Sequence, residues 1–515
     1  MKASFATENS ALAGDEFRYD ASALVGATPL TRFLSLIVAA LFLNSILLIV
    51  LPAKPVVVAF IVSVAIAGAF SIPLRFAPHV ILVYYSLEGL VKMLSNYHPV
   101  LHVSGDLLVV LFALRSVLDR GTGGVAKVAQ TPFLPLFLLF SFWVLVQFFN
   151  PYSLGFIPSL AGLKIYLVPP LLLFIAFHHF DRQQLMPLTL IITALAAMIS
   201  GLALIEYFWG QQFILSLSPA YMRATREIFL GAQYRPFGTT SLPGMPATWV
   251  ALATPFAAYA LFQKRVPLKQ WQRLLPLVFF AVAVPILLIC QTRLSMLQSA
   301  VGLLIVLAFN KKDLAKRLSY LTLFATIASA PILYKTYFGN WNTGFFATKQ
   351  AEVISKRFRT LGTKEAYSKS RDNPLPRIWN DLQKMYILGL GLSRVGAAAG
   401  PWGDRIHNHP YFRDVNVGWA DNLMIALFHE LGVLGLFTYF FLYLKIMLRL
   451  YKNSRHQDYE FSHGTDHLFV WTCFAIALIT LISGMAAEGA LYAPVSIFLW
   501  LSFGLGLKEA MHARN

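Results

Sequence analysis

Three groups of polar residues stand out in a chain that is otherwise strongly apolar. The first is the run 234–239, Tyr-Arg-Pro-Phe-Gly-Thr, which contains Arg235, and the second is the run 291–297, Gln-Thr-Arg-Leu-Ser-Met-Leu, which contains Arg293. The third begins at Asp421. Guanidinium groups bind diphosphate oxygens through a planar fork of donors, and a carboxylate can act as a general base. These residue types indicate chemistry on a phosphorylated substrate.

Signatures of common soluble enzymes are missing from the sequence. It contains no phosphate-binding GxxxxGK[ST], no HExxH, no CxxC and no GxSxG that would stand at a strand-to-helix turn. Cys290 and Cys473 lie in apolar runs, so they predict neither a disulfide framework nor a metal cluster. One set of metal-ligating residue types occurs at unspecific spacing: His407 and His409 with Asp404 or Asp414. We therefore predict no metal and no other cofactor.

The composition identifies the setting in which this chemistry would occur. Of the 515 residues, 57% are hydrophobic and only 13% are charged, whereas soluble domains carry about 25% charged residues. We therefore expect an all-α polytopic membrane protein. In a soluble protein, the net charge of +18 would suggest binding to nucleic acid. In a membrane protein the positive residues are instead distributed between the two membrane faces. We therefore predict no nucleic-acid partner.

Apolar segments long enough to span a bilayer recur along the chain. A span needs about 20 largely apolar residues, and we predict about fourteen. The third and fourth are interrupted by Glu88 and Asp106, so twelve spans are the alternative if these two segments are re-entrant. The predicted spans are 33–52, 55–73, 77–93, 98–114, 131–149, 159–177, 185–208, 244–263, 274–291, 294–309, 318–334, 422–444, 467–485 and 489–507.

The charges of the connecting loops predict the orientation. Lysine and arginine concentrate in alternate short loops and at the C-terminus, around residues 75, 115–127, 182, 264–273, 311–317, 445–455 and 508–514. The intervening short loops hold almost none. This alternation follows the positive-inside rule and predicts that both termini are cytoplasmic. Because no cleaved signal peptide is indicated, the first span would serve as the anchor.

The predicted organisation has four parts. A cytoplasmic tail of residues 1–31 precedes the N-terminal transmembrane helices at 32–158. A central part, 159–444, includes a long basic loop at 335–421 on the predicted periplasmic side, and residues 445–515 form the last transmembrane helices and a cytoplasmic tail. The basic loop either lies against lipid headgroups or binds an anionic ligand such as a diphosphate or an acidic glycan.

The order of the motifs resembles that of a known family, the O-antigen ligase and Wzy-type O-antigen polymerase superfamily of bacterial envelope glycosyltransferases. Members show Arg-x-x-Gly-Thr before a span, as at 235–239, and Arg-x-x-x-Leu, as at 293–297. Their periplasmic loop contains Gly-x-Gly, as at 389–391. It ends in His-Asn, nine residues and Gly-x-x-Gly, which Asn422, Gly432 and Gly435 match. The resemblance covers residues 159–444.

This resemblance implies a set of site residues. It assigns catalysis to Arg235, Arg293 and Asp421, the last standing where ligases have a histidine that is taken as the base. An aspartate at this position looks more like the polymerase branch, and it is also placed where it would cap the following helix. Candidate substrate-binding residues are Lys164, Arg394, His407, His409, Asn422 and His429. For His429 a packing role is the alternative. For Lys164, Arg235 and Arg293 the alternative is that the side chain extends to the headgroups. Gly432 and Gly435 are expected to allow close helix approach.

The resemblance also implies a function and partners. A Wzy-type polymerase would move a growing glycan from undecaprenyl diphosphate onto the next lipid-linked repeat unit, at the periplasmic face of the bacterial inner membrane. It would work beside a flippase and a chain-length regulator of the same pathway. The alternatives are an O-antigen ligase acting on lipid A-core, a protein O-oligosaccharyltransferase, and, from another class, a lipid-linked oligosaccharide flippase or transporter, which Glu88 and Asp106 would suit.

Overall fold

The computed structural model of the chain describes residues 69, 71–94, 101–118, 129, 131–218, 221, 229–230, 233–263, 268–290, 292–308, 386–393, 423–454, 466–486 and 491–512. Apart from one short strand pair, the regular elements in these ranges are helices. The α-helices are α1 (Ala77–Leu94), α2 (Leu101–Leu118), α3 (Leu134–Phe148), α4 (Phe156–Leu167), α5 (Leu171–His179), α6 (Leu185–Trp209), α7 (Gln211–Leu217), α8 (Pro246–Phe262), α9 (Gln270–Cys290), α10 (Arg293–Ala308), α11 (Leu423–Ser454), α12 (His467–Ala486) and α13 (Val495–His512).

Short elements connect some of these helices. Single turns of 3-10 helix occur at Leu74–Phe76, Arg182–Gln184 and Tyr386–Leu388. The strands β1 (Phe229–Leu230) and β2 (Gln233–Tyr234) pair in antiparallel register. Because β2 ends at the residue before Arg235, this small hairpin leads directly into the first polar run.

Several helices have the length and composition of membrane spans. Five qualify by these two criteria among the described residues: Phe156–His179, Arg182–Trp209, Gln270–Cys290, Leu423–Ser454 and His467–Gly484. Shorter apolar helices lie at Leu134–Phe148, Pro246–Phe262 and Leu294–Ala308. The prediction of an all-α membrane protein is therefore supported, while the total of fourteen spans and their orientation stay predictions.

Most predicted spans coincide with helices. The segments predicted at 33–52 and 318–334, and nearly all of 55–73, lie outside the described residues, as do the cytoplasmic tail 1–31 and nearly all of the loop 335–421. The third and fourth segments form α1 and α2, each an unbroken helix of 18 residues. The segment predicted at 159–177 is divided into α4 and α5, because Pro169 and Pro170 cannot donate the backbone hydrogen bonds of a continuous helix.

Helix α8 lies at the centre of the packed helices. It contacts α6, α9, α10, α12 and α13, and nearly all of its side chains are buried. Trp249 packs edge-on against Phe498 of α13, with the ring centroids 5.2 Å apart. A helix that is apolar on all sides is stable only when other helices or lipid surround it, and here other helices do so. This position lets α8 hold the run 235–245, which immediately precedes it, against its neighbours.

Contacts on the predicted cytoplasmic side join loops that the charge pattern assigns to that side. Arg182 Nη2 lies 3.2 Å from Glu509 Oε1, which also accepts a hydrogen bond from the Asp466 backbone N–H at 2.6 Å. The Tyr259 hydroxyl donates to Asp466 Oδ2 at 2.5 Å. Arg115, at the end of α2, donates to the Ala69 carbonyl at 2.7 Å. These contacts fix the ends of α2, α8, α12 and α13 against neighbouring segments.

Candidate functional site

The turn formed by the first polar run is held by a buried carboxylate that sequence analysis did not single out. Glu206, one turn before the end of α6, is 1% exposed. It accepts hydrogen bonds from the backbone N–H groups of Phe237 at 3.0 Å and of Gly238 at 2.8 Å. Gly238 has φ +57°, and an added Cβ would lie 2.7 Å from the Ile199 carbonyl oxygen. An ionisable residue near the end of an apolar span is a functional candidate, so its position could have revealed it.

The same turn packs against α1 on its other side. The Thr239 hydroxyl donates to the Ser86 carbonyl at 2.5 Å. Gly89 lies so close to the next residues that an added Cβ would overlap the backbone of Thr240 and Ser241. The run 235–241 is therefore fixed between α6 and α1. Helix α1 precedes the part of the chain in which sequence analysis expected the site.

Arg235 connects this turn to the end of α9. Its Nε donates to the Cys290 carbonyl at 3.2 Å and its Nη2 to the Thr292 hydroxyl at 3.4 Å. Cys290 is the last residue of α9, where helix carbonyls lack intrahelical donors and a cation is favoured. The half-buried guanidinium lies against Gly244, where an added Cβ would overlap it. Its position is thus fixed by contacts on several sides.

Arg293 follows directly after the residues that Arg235 contacts. It is the first residue of α10, and its side chain lies outside the described part of the structure. Because Arg235 contacts both Cys290 and Thr292, the two arginine-containing runs meet, although they are more than fifty residues apart in the chain. The structure therefore brings the Arg235 turn against the residue that precedes α10.

Lys164 forms an ion pair that the sequence did not indicate. Its Nζ lies 2.8 Å from Asp106 Oδ2 on α2. A second pair joins Lys92 Nζ to Glu88 Oε1 at 2.9 Å within α1. The two carboxylates that interrupt the third and fourth predicted spans are thus compensated by lysines. Such pairing greatly reduces the cost of placing charges in a membrane-embedded protein.

The Gly-x-Gly and Gly-x-x-Gly motifs contact each other. Helix α11 is kinked at Gly432, which has φ +67° and ψ −169°. An added Cβ there would lie 2.6 Å from the Gly389 nitrogen, and one on Gly389 would lie 2.7 Å from the Gly432 nitrogen. Gly432 therefore lies against the backbone of another segment, with no room for a side chain. The segment in contact is 387–389, the start of the Gly-x-Gly region.

Donors from elsewhere in the fold satisfy the carbonyls that the kink releases. The Leu390 N–H donates to the His429 carbonyl at 2.7 Å, and Trp143 Nε1 of α3 donates to the Leu431 carbonyl at 2.6 Å. The Gln147 side chain donates to the Leu388 carbonyl at 2.7 Å. Buried backbone groups are costly when unpaired, so these hydrogen bonds stabilise the kink. They fix the segment 387–391 between α3 and α11.

His429 and Glu430 are buried in packing contacts. His429 is 2% exposed, and its Nδ1 lies 2.9 Å from the Ile425 carbonyl of the same helix. A carbonyl can only accept, so Nδ1 carries the proton in this contact. Tyr166 of α4 donates to Glu430 Oε2 at 2.8 Å. For His429 this favours packing over substrate binding, and for Glu430 the contact with Tyr166 indicates a structural role.

The remaining predicted site residues are not part of the described structure. Asp421, Asn422, Arg394, His407 and His409 all lie outside the described residues. Within the described residues no group of three His, Cys, Asp or Glu side chains is placed to hold a metal ion. Cys290 and Cys473 are buried thiols.

The arrangement can stabilise developing negative charge. A guanidinium held by contacts to the Cys290 carbonyl and the Thr292 hydroxyl needs little reorganisation when charge appears beside it. Electrostatic stabilisation of a transition state is strongest when the charges are fixed in advance and water is partly excluded. Arg235, beside the start of α10, satisfies the first condition and, being half-buried, part of the second.

Replacing Glu206 with alanine should loosen the turn that carries Arg235. The substitution leaves two buried N–H groups, those of Phe237 and Gly238, without their acceptor, at about 1–3 kcal/mol each. We expect a lower thermal midpoint for the purified protein in detergent and a smaller loss for Glu206→Gln, which keeps one acceptor oxygen. Gln212→Ala, at an exposed position of α7, is the control. Equal midpoints for wild type and Glu206→Ala would contradict the assigned role.

No protein-family model and no curated protein matches the sequence. The assignment of a family therefore depends on the order of the motifs and on the contacts among them.

Proposed function

We propose that the protein is a glycosyltransferase that polymerises undecaprenyl-diphosphate-linked repeat units at the periplasmic face of the bacterial inner membrane. The observation that carries the proposal is the meeting of two arginine motifs. Arg235 contacts the Cys290 carbonyl and the hydroxyl of Thr292, the residue directly before Arg293. The contact between the Gly-x-Gly segment and the Gly432 kink adds support, because it joins two further motifs of the same family.

The proposed reaction needs fixed cations at the donor phosphate. Outside the cell no nucleotide sugar is available, so the donor is a glycan on a lipid diphosphate. The acceptor hydroxyl oxygen forms a bond to the anomeric carbon while the bond from that carbon to the phosphate oxygen breaks. The leaving group is the lipid diphosphate, which gains negative charge as it departs. Arg235 and Arg293 would stabilise this charge.

The acceptor hydroxyl must lose its proton in the same reaction. In the resemblance, Asp421 takes this proton and passes it to solvent. Attack from the face opposite the leaving group inverts the anomeric configuration. No metal is needed when arginines compensate the diphosphate charge. The same site chemistry would serve a ligase or a protein O-oligosaccharyltransferase, which use the same donor and differ in the acceptor.

A lipid-linked oligosaccharide flippase is the competing function from another class. Transporters commonly place charged residues near the bilayer midplane, and Glu88 and Asp106 are the residues that would suit this role. In the structure both carboxylates pair with lysines, as described above. The polymerase proposal also entails two partners of the same pathway, a flippase that supplies the repeat units and a chain-length regulator.

Arg293→Ala tests the proposed function in cells. We expect lipid A-core bearing a single repeat, or single lipid-linked repeats outside the membrane, because donor cleavage would fail while export continues. The measurement is the glycan profile at membrane expression matched by immunoblot. Arg273→Ala is the control, since Arg273 is an exposed arginine at the opposite end of α9 and its loss should leave the profile unchanged.

Other profiles would each point to a different function. Full-length chains on undecaprenyl diphosphate with bare lipid A-core would identify a ligase. Single repeats accumulating on the cytoplasmic side would identify a flippase. An unchanged profile for Arg293→Ala at normal expression would overturn the catalytic role of Arg293.

A further inference from the structure

Four charged side chains of α1, α2 and α4 form a neutral group of two ion pairs. The pairs are Lys164 with Asp106 at 2.8 Å and Lys92 with Glu88 at 2.9 Å. The Glu88 carboxylate also interacts electrostatically with both Asp106 and Lys164, so the two pairs are neighbours. This group lies close to the candidate site, because Ser86 and Gly89 on the same turn of α1 contact the run 239–241.

The pair between Lys164 and Asp106 is the more accessible of the two. The Lys164 and Asp106 side chains are 33% and 20% exposed, compared with 15% and 13% for Lys92 and Glu88. Leu160, one turn before Lys164 on α4, is 48% exposed. On a helix of this composition such an apolar side chain faces lipid. Residues one turn apart share a helix face, so the pair borders the lipid and headgroups can reach it.

A lysine in this position would meet competing anions. Anionic phospholipids such as phosphatidylglycerol carry one negative charge on a phosphodiester and greatly outnumber any lipid-linked diphosphate. Displacing Asp106 from Lys164 exchanges one single charge for another and leaves the carboxylate without its partner. A phosphodiester therefore gains little from the exchange, because removing one member of an ion pair is costly for the other.

A lipid diphosphate carries more negative charge than a phosphodiester headgroup. It carries two negative charges on two phosphoryl groups. One group can contact Lys164 while the second contacts Lys92, the other lysine of the same group. Charge-assisted hydrogen bonds are about twice as strong as neutral ones, so the second contact compensates for the displaced carboxylate. The ion pair thus favours the diphosphate over the monophosphate.

We propose that Asp106 is a specificity-determining residue, which excludes phosphatidylglycerol headgroups from Lys164 and yields to a lipid diphosphate. This inference rests on the proposed function, since it takes a lipid diphosphate as the donor. It predicts that removing the charge of Asp106 strengthens binding of the wrong lipid. A purely structural ion pair would instead affect stability and leave lipid preference unchanged.

The test compares full-length wild type and Asp106→Asn in nanodiscs of phosphatidylcholine with increasing phosphatidylglycerol. Bound phosphatidylglycerol is counted by native mass spectrometry, and chain extension of lipid-linked repeats is measured in the same discs. We expect Asp106→Asn to bind more phosphatidylglycerol than wild type. Its extension rate should fall about tenfold as that lipid is added, which is the effect expected for one charge-assisted contact. The wild-type rate should change less than about twofold under the same conditions.

Matched variants separate charge from structure. Asp106→Glu keeps the carboxylate and should behave as wild type. Glu88→Gln removes a carboxylate from the less exposed pair and should raise phosphatidylglycerol binding much less. Asp106→Ser is a second neutral variant for the case that Asp106→Asn does not accumulate, and it should show the same lipid sensitivity.

The experiment distinguishes failure of the Asp106 proposal from failure of the proposed function. Equal phosphatidylglycerol binding and equal inhibition in wild type and both neutral Asp106 variants would overturn the role of Asp106 while the polymerase proposal stands. Absence of chain extension by wild type in pure phosphatidylcholine, with the repeat-unit donor present, would overturn the proposed function. In that case increased phosphatidylglycerol binding by Asp106→Asn would still show that the carboxylate excludes this lipid from Lys164.

Discussion

Replacing Arg235 with lysine should lower the rate of glycan transfer by about 10²–10³-fold, the loss seen when one preorganised donor to a developing anion is removed. Lysine keeps the positive charge but not the planar fork that reaches the Cys290 carbonyl through Nε and the Thr292 hydroxyl through Nη2. The ammonium would therefore be displaced from the position that Arg235 holds. The measurement is chain extension by purified protein in vesicles containing lipid-linked repeat units.

A control separates catalysis from folding in this experiment. Arg273→Lys changes an exposed arginine at the other end of α9 and should leave both rate and stability unchanged. Arg235→Lys should lose its rate with only a modest decrease in thermal midpoint, because Lys can still interact with the carbonyl end of α9. A rate close to that of wild type would show that Arg235 is a helix-capping residue alone.

The place of Arg235 and the candidacy of Glu206 were predictable from sequence, but the contacts that hold them were not. The charge pattern placed Arg235 and Arg293 at the same ends of two predicted spans, and the structure brings their runs together. Glu206, which holds the turn beside Arg235, lies inside an apolar segment, and a lone glutamate does not reveal which backbone donors it accepts. The contact depends on a left-handed residue at Gly238, which periodicity does not report.

The first two described helices show a different limit of sequence analysis. Glu88 and Asp106 were predicted to interrupt spans, and the segments nevertheless form continuous helices. The partner of Asp106 is Lys164, more than fifty residues away, so no local pattern could identify the pair. Helices that the family resemblance did not cover therefore supply contacts to the candidate site through Ser86 and Gly89.

The glycine motifs were found by resemblance, and their geometry explains the residue type. Because glycine is small, Gly432 was expected to allow two helices to approach. The structure shows a kink within one helix, where the backbone of 387–391 inserts. The periodicity of apolar residues does not predict a kink of this kind, because α11 is similarly apolar before and after Gly432.

Gly432→Ala should prevent accumulation of folded protein. The backbone at φ +67° and ψ −169° lies in a region that is essentially restricted to glycine and costs about 1–3 kcal/mol for other residues. The added Cβ would also lie 2.5 Å from the Leu388 carbonyl carbon, so the inserted segment must move. Since folded proteins are stable by only about 5–15 kcal/mol, we expect a large loss, measured as the monodisperse fraction after size-exclusion chromatography and as the thermal midpoint.

Three further glycines separate strain from steric overlap. Gly155→Ala adds strain alone, because Gly155 has φ +111° and nothing lies within 4 Å of an added Cβ. Gly89→Ala adds overlap with the 240–241 backbone alone, and Gly201→Ala, in α6 with nothing within 4 Å, adds neither. We expect Gly201→Ala to be neutral or stabilising, since alanine favours helix over glycine by about 1 kcal/mol, and Gly432→Ala to exceed both other variants in cost. If Gly432→Ala were no more destabilised than Gly155→Ala, the 387–391 segment would not be packed on the kink.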